Sequence, residues 1–86
     1  MSKTIRSSGQ LELCRVLTEA RKSLGMTQGE LAKRLGCQQS LIARLESGER
    51  RLDVVEFVIF ARALRMQPAE LLAKIEPAIP PDVCRI

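Results

Sequence analysis

The run TQGELAKRLGCQQSLIARLESG, residues 27–48, constrains this chain more than any other stretch. It encodes two short helices with no room for a linker between them. Thr27 and Glu30 stand at capping-box spacing, so the Thr27 hydroxyl can accept from the amide of residue 30 while the Glu30 carboxylate accepts from the amide of residue 27. Leu31, Ala32 and Leu35 then form an apolar stripe, with Lys33 and Arg34 left to solvent. Gly36 supplies the left-handed residue that ends a helix of about two turns. Only Cys37 and Gln38 intervene before apolar periodicity resumes, and Gly48 closes the second helix as Gly36 closes the first.

Turned at 100 degrees per residue, the second helix separates into two faces. Ile42 and Leu45, flanked by Leu41, form the packing side. Gln39, Ser40, Ala43 and Arg44 fall within an arc of roughly 140 degrees on the other. A glutamine amide can pair two-pronged with adenine N6 and N7, and an arginine with guanine O6 and N7. Serine suits several base edges, and an alanine methyl can meet the methyl of thymine. Taken alone, such a helix is most often an ordinary solvated surface.

The run LTEARKSLGMTQGELAKRLGCQQSLIARLESGERR, followed by ALRMQPAELL, resembles the lambda-repressor/Cro type of helix-turn-helix domain, the XRE family. The likeness covers about 13–72, and several segments match in order with unbroken spacing. It rests on Thr27-Gln28, Leu31-Ala32, Leu35-Gly36, the pattern Ile42, Leu45-Glu46 and Gly48, and the later Ala63-Leu64, Pro68 and Leu71-Leu72. The resemblance implies an all-α, five-helix DNA-binding domain that lays the helix around 39–47 in the major groove. It also implies a partly buried ion pair of Arg21 with Glu46 that fixes the angle of that helix, and a Gln28 that steadies Gln39. Gln28 and Gln38 would contact phosphate near helix amino ends. Arg50 and Arg51, otherwise a solvated turn, would face the sugar-phosphate backbone, where cations set register without reading sequence. The chain departs from the family pattern at Gly29, which weakens a short helix by roughly 0.5–1 kcal/mol. It departs also at Ala20, where a larger aliphatic is usual, at Leu52 in place of a frequent proline, and at Arg65 in place of a frequent glycine. These positions bear on packing and remove no DNA-facing group.

Composition fits that reading without deciding it. Eighty-six residues, 45% hydrophobic and 28% charged, suit one compact domain. A net charge of +4 and a pI near 9.4 mildly favour a polyanionic partner. The three cysteines, at 14, 37 and 84, form no CxxC pair, and histidine is absent, so neither a zinc site nor any other metal site is expected. Scattered thiols, an amino-terminal MSKTIRSSGQ without a signal core, and the lack of a membrane-length apolar run give the expectation of a soluble, cytoplasmic protein. No cofactor is expected. No paired-carboxylate cleft, phosphate-binding glycine loop or metal cluster is legible, which argues against an enzyme.

Residues 1–8 read as a flexible arm, 9–76 as the domain and 77–86 as a proline-rich extended tail. Ser7 and Gln10 cap a first helix from near Ser8 to Leu24, closed by Gly25, with Leu13, Val16, Leu17, Ala20 and Leu24 facing inward. Asp53 and Glu56 form another capping box, opening a helix over 54 to about 64 whose core face is Val54, Phe57, Phe60, Ala61 and Leu64. Val55 and Ile59 fall outside that face, where the family usually carries polar residues. They either widen the core or belong to a self-association surface. Gln67-Pro68 starts the last helix, from which Leu72 and Ile75 can pack inward or across a dimer axis. The candidate dimer surface is therefore Val55, Ile59, Leu72 and Ile75.

The function expected is sequence-specific binding of double-stranded DNA by a homodimeric transcriptional repressor on a palindromic operator. An antitoxin that binds a protein toxin through the surplus apolar surface and represses its own operon is the alternative. An interaction module that has lost DNA binding is a third reading, disfavoured by the intact polar face of the reading helix.

Overall fold

The computed structural model describes residues 7–86, so most of the arm expected over 1–8 lies outside the described residues. Five helices follow one another: α1 (Ser8–Ser23), α2 (Gln28–Leu35), α3 (Gln39–Ser47), α4 (Val54–Ala63) and α5 (Pro68–Ile75). A 3₁₀ turn, Glu76–Ala78, follows, and no strand occurs among the described residues.

Each boundary has a local cause. The Ser7 hydroxyl accepts from the Gln10 amide at 3.2 Å. Thr27 and Glu30 exchange both bonds of a capping box, at 3.0 and 2.8 Å, and Asp53 and Glu56 do the same at 2.7 and 3.1 Å. Pro68 opens α5 at its first turn, where its missing N–H costs nothing. Gly36 and Gly48 end α2 and α3 with φ of 70° and 86°. The exits from α1 and α4 repeat one another. Met26 N–H donates to the Arg21 carbonyl at 3.2 Å, and Met66 N–H to the Ala61 carbonyl at 2.9 Å. The intervening residue is left-handed in both, Gly25 at φ 70° and Arg65 at φ 59°. Holding a residue with a Cβ in that conformation costs roughly 1–2 kcal/mol.

Leu31, Ile42, Leu45, Leu64 and Leu71 are fully buried, so α2, α3, α5 and the cap residue that ends α4 each drive at least one large aliphatic into a single centre, where Phe60 of α4 is buried as well. Val16 and Leu17 of α1 join it. The helix pair α2 and α3 packs together, α1 lies against α3 and α5, and α4 bridges α2 and α5. Helix α3 is thus seated on an apolar bed with its other side outward.

Several sequence expectations need correction. Val54 is 80% exposed rather than inward. It is the first residue after the Asp53 cap, at the very start of α4. Leu24 is 40% exposed, because it is the cap residue beyond the last turn of α1. Ile75, placed in the candidate dimer surface, is only 6% exposed and belongs to the core, one turn after Leu71 on the same face of α5. The segment 77–86 does not leave the domain at once. The Ser8 hydroxyl donates to the Ala78 carbonyl at 2.7 Å, and Ile79 lies over Gly9, where an added Cβ would stand 2.7 Å from Ile79 Cγ1. Residues 80–86 are exposed.

Candidate nucleic-acid interface

The candidate face belongs to α3, and its inner side fixes it: Ile42 and Leu45 are buried and Leu41 is half-buried. On the outer side Gln39, Ser40 and Arg44 are exposed and Ala43 is half-buried. No segment of the described chain covers these four side chains. Gln38 is the exposed cap residue of α3 and its side chain makes no capping bond.

A chain of polar contacts ties this face to α1 and α2. Arg21 of α1 donates from Nε to Glu46 Oε2 at 2.7 Å and from Nη2 to Glu46 Oε1 at 3.0 Å, a two-pronged pair with both side chains 9% exposed. Its remaining Nη1 donates to the Met26 carbonyl at 2.7 Å, which locks the α1–α2 turn to the same guanidinium. Gln28 Nε2 donates to Glu46 Oε1 at 2.9 Å, and Gln39 Nε2 donates to Gln28 Oε1 at 3.4 Å. The Gln39 amide on the outer side of α3 is thereby oriented by a buried charge pair two contacts away.

The electrostatics of Glu46 follow from this setting. Burial alone would raise its carboxyl, but donation from Arg21 and Gln28, with the charges of Arg21 and Lys22, holds it below the ordinary carboxylate range. Hydrogen bonding to Glu46 in turn pushes the Arg21 guanidinium higher against the opposing effect of burial. Cys14 is buried beside the same junction and donates from Sγ to the Leu45 carbonyl at 3.2 Å; burial pushes its thiol up. It acts as a small packing residue and a clasp on the end of α3.

The two arginines after α3 differ in setting. Arg50 turns back onto Glu56, with Nη2 to Oε2 at 2.9 Å and Nη1 to Oε1 at 3.2 Å, and also reaches the Arg51 carbonyl at 2.9 Å. Its charge steadies the capping box of α4, and a phosphate would have to share it. Arg51 is exposed. The sequence reading also passed over Ser47, which is exposed and lies eight residues after Gln39, hence on the same side of α3. Its hydroxyl lies 3.0 Å from Glu49 Oε2 and 3.2 Å from the Arg44 carbonyl. The helical wheel already put Ser47 within the polar arc.

Among the described residues no helix is long and apolar enough to cross a membrane, and no group of His, Cys, Asp or Glu is placed to hold a metal ion.

A family model described as helix-turn-helix matches residues 17–71. Among solved structures, an XRE-family like protein from Pseudomonas syringae pv. tomato str. DC3000 is similar, with 46% identity and a TM-score of 0.79 over 92% of this chain and 96% of that one. The restriction-modification controller protein C.AhdI from Aeromonas hydrophila is similar at 31% identity and a TM-score of 0.66, over 74% of this chain and 94% of that one. No curated protein matches the chain.

Proposed function

The chain belongs to the XRE-type helix-turn-helix family of DNA-binding transcription regulators, and from that premise we propose that it acts as a homodimeric repressor of a palindromic operator. One observation carries the proposal: the bare polar side of α3 is held in register by the buried Arg21–Glu46 pair through Gln28. Gln39, Ser40, Ala43 and Arg44 read base edges, and Gln28, Gln38 and Arg51 take phosphates, with Arg50 sharing its charge between Glu56 and the backbone. Repression is steric, by occupation of promoter DNA. The likeness to a protein named as a restriction-modification controller supports a role in gene control.

The dimer uses the outward side of α4. Val54, Val55 and Ile59 are exposed there, and Leu72 of α5 is exposed beside a groove of about 290 Å³ that it lines with Val54, Phe57 and Leu13. Exposed apolar side chains gathered on a small domain are a common mark of an interface. Two such subunits would present their α3 helices to half-sites roughly 34 Å apart.

Selection of bound duplexes from a random pool supplies the operator. Against it, Arg44→Ala is expected to lose affinity and base preference together, whereas Arg51→Ala weakens cognate and scrambled DNA alike and lowers the salt slope by about 1 per subunit. Equal losses on both DNAs in the two variants would remove Arg44 from the base-reading set.

A further inference from the structure

We propose that Glu56 restrains DNA binding by occupying Arg50 as a phosphate would, which keeps the sequence-independent part of the affinity low; the inference rests on the DNA-binding reading above. Arg50 donates from Nη2 to Glu56 Oε2 at 2.9 Å and from Nη1 to Glu56 Oε1 at 3.2 Å, the two-pronged geometry in which a guanidinium also grips a phosphate. Nη1 is engaged a second time by the Arg51 carbonyl at 2.9 Å. A phosphate approaching the loop after α3 therefore meets a guanidinium whose fork is already filled.

The carboxylate is held there by more than Arg50. Glu56 is the third residue of α4; its Oε1 accepts from the Asp53 amide at 3.1 Å, and its own amide donates to Asp53 Oδ1 at 2.7 Å. The capping box thus fixes the acceptor independently of the cation. Hydrogen bonds from Arg50 and from the Asp53 amide hold the Glu56 carboxyl below the ordinary carboxylate range, so the competitor is charged at neutral pH. The pair is also open to exchange. Its side chains are 30% and 34% exposed, against 9% for each partner of Arg21–Glu46. An exposed pair yields to a third group at little cost, whereas a buried one does not.

The charge of the segment agrees. Residues 49–56 carry three carboxylates, at 49, 53 and 56, against the two guanidiniums of Arg50 and Arg51. The stretch that follows α3 is therefore no free cationic clamp. Loss of the Glu56 charge balances it and releases the guanidinium that Glu56 holds, whereas Glu49 is engaged by the Ser47 hydroxyl at 3.0 Å. Phosphate contacts supply nearly all sequence-independent binding, so a carboxylate that takes the place of one lowers affinity for every duplex and leaves the base contacts of α3 to decide where the protein stays.

The test measures Kd against salt concentration for operator and scrambled duplexes with the full chain. Glu56→Gln frees Arg50 and keeps the cap, since glutamine also serves at this position of the box. It is expected to tighten both duplexes alike, by up to about tenfold per subunit at about 0.1 M salt, and to steepen the salt slope by about 0.9 per subunit. Glu49→Gln removes an equal charge from the same segment without releasing Arg50, so it should tighten binding less and leave the slope at the parent value. Arg50→Ala should lower the slope by about 0.9 per subunit in the Glu56→Gln background and by clearly less in the parent, where its cost should also fall short of that of Arg51→Ala. A Glu56→Gln protein that binds no tighter, equal tightening by Glu49→Gln, or a parent Arg50→Ala loss as large as that of Arg51→Ala would each overturn the inference while the parent still binds duplexes. A parent that binds neither duplex would overturn the DNA-binding reading itself, and this inference with it.

Discussion

Glu46 is the residue on which most of the interface geometry converges. It accepts from Arg21 twice and from Gln28 once while lying almost fully out of water. Arg21→Met leaves that carboxylate buried without its countercharge, and the expected loss in urea unfolding is about 3–5 kcal/mol. The double variant Arg21→Met with Glu46→Leu should recover most of the loss, since no orphaned charge remains. The pH dependence has a definite sign. The Glu46 carboxyl is lowered on folding, so its contribution is fully present above the ordinary carboxylate value, near 4.3, and is lost as the pH falls through the folded value. Glu46→Gln is therefore expected to flatten the acid limb of the stability profile while leaving the neutral and alkaline side parallel to the parent. An unchanged acid limb would show that the pair does not couple to folding. Sequence supplied the two partners only by family resemblance. Nothing in the spacing of residues 21 and 46 says that Gln28 shares the same carboxylate, because that depends on the angle at which α2 crosses α3.

At the scale of elements, the helices were legible because each carries its own start and stop. Thr27 with Glu30 and Asp53 with Glu56 are signals contained within four residues, and both close as reciprocal boxes. Asp53→Ala is expected to cost about 0.5–2 kcal/mol, read as a fall in the urea midpoint with no change in slope. The way elements end up exposed was less legible. Val54 has core chemistry and core spacing, yet it stands in water as the first residue of α4. The 3₁₀ turn and its return onto α1 were equally hidden, because Gly9 reads as a weak helix residue until Ile79 is seen above it. Gly9→Ala should displace Ile79, and faster amide exchange at residues 78–79 is the expected readout. Ile79→Ala in the same background should restore room, and exchange in the double variant that stays fast would mean that the Ser8–Ala78 contact fails with it.

The described residues present the polar side of α3 outward and leave Val54, Val55 and Ile59 of α4 and Leu72 of α5 exposed, and the homodimer proposed above would bury some of these apolar side chains. Val55 is 68% exposed, so Val55→Glu should leave the monomer fold intact while sedimentation shifts from dimer to monomer. Operator affinity should fall with it, since paired half-sites are no longer engaged by one particle. A Val55→Glu protein that still sediments as a dimer would move the interface off this face. The amino-acid sequence by itself determined the number and order of the helices, the caps that bound them and the separation of α3 into a packing side and a polar side, because each of these is set by chemistry within a turn or two of chain. Which apolar residues became core, as Ile75 did, and which stayed in water, as Val54 did, was decided only by tertiary packing. The same holds for Arg50 turning onto Glu56 and Gln39 being steered from Glu46. Those outcomes depend on how rigid helices meet at distances the local pattern does not encode.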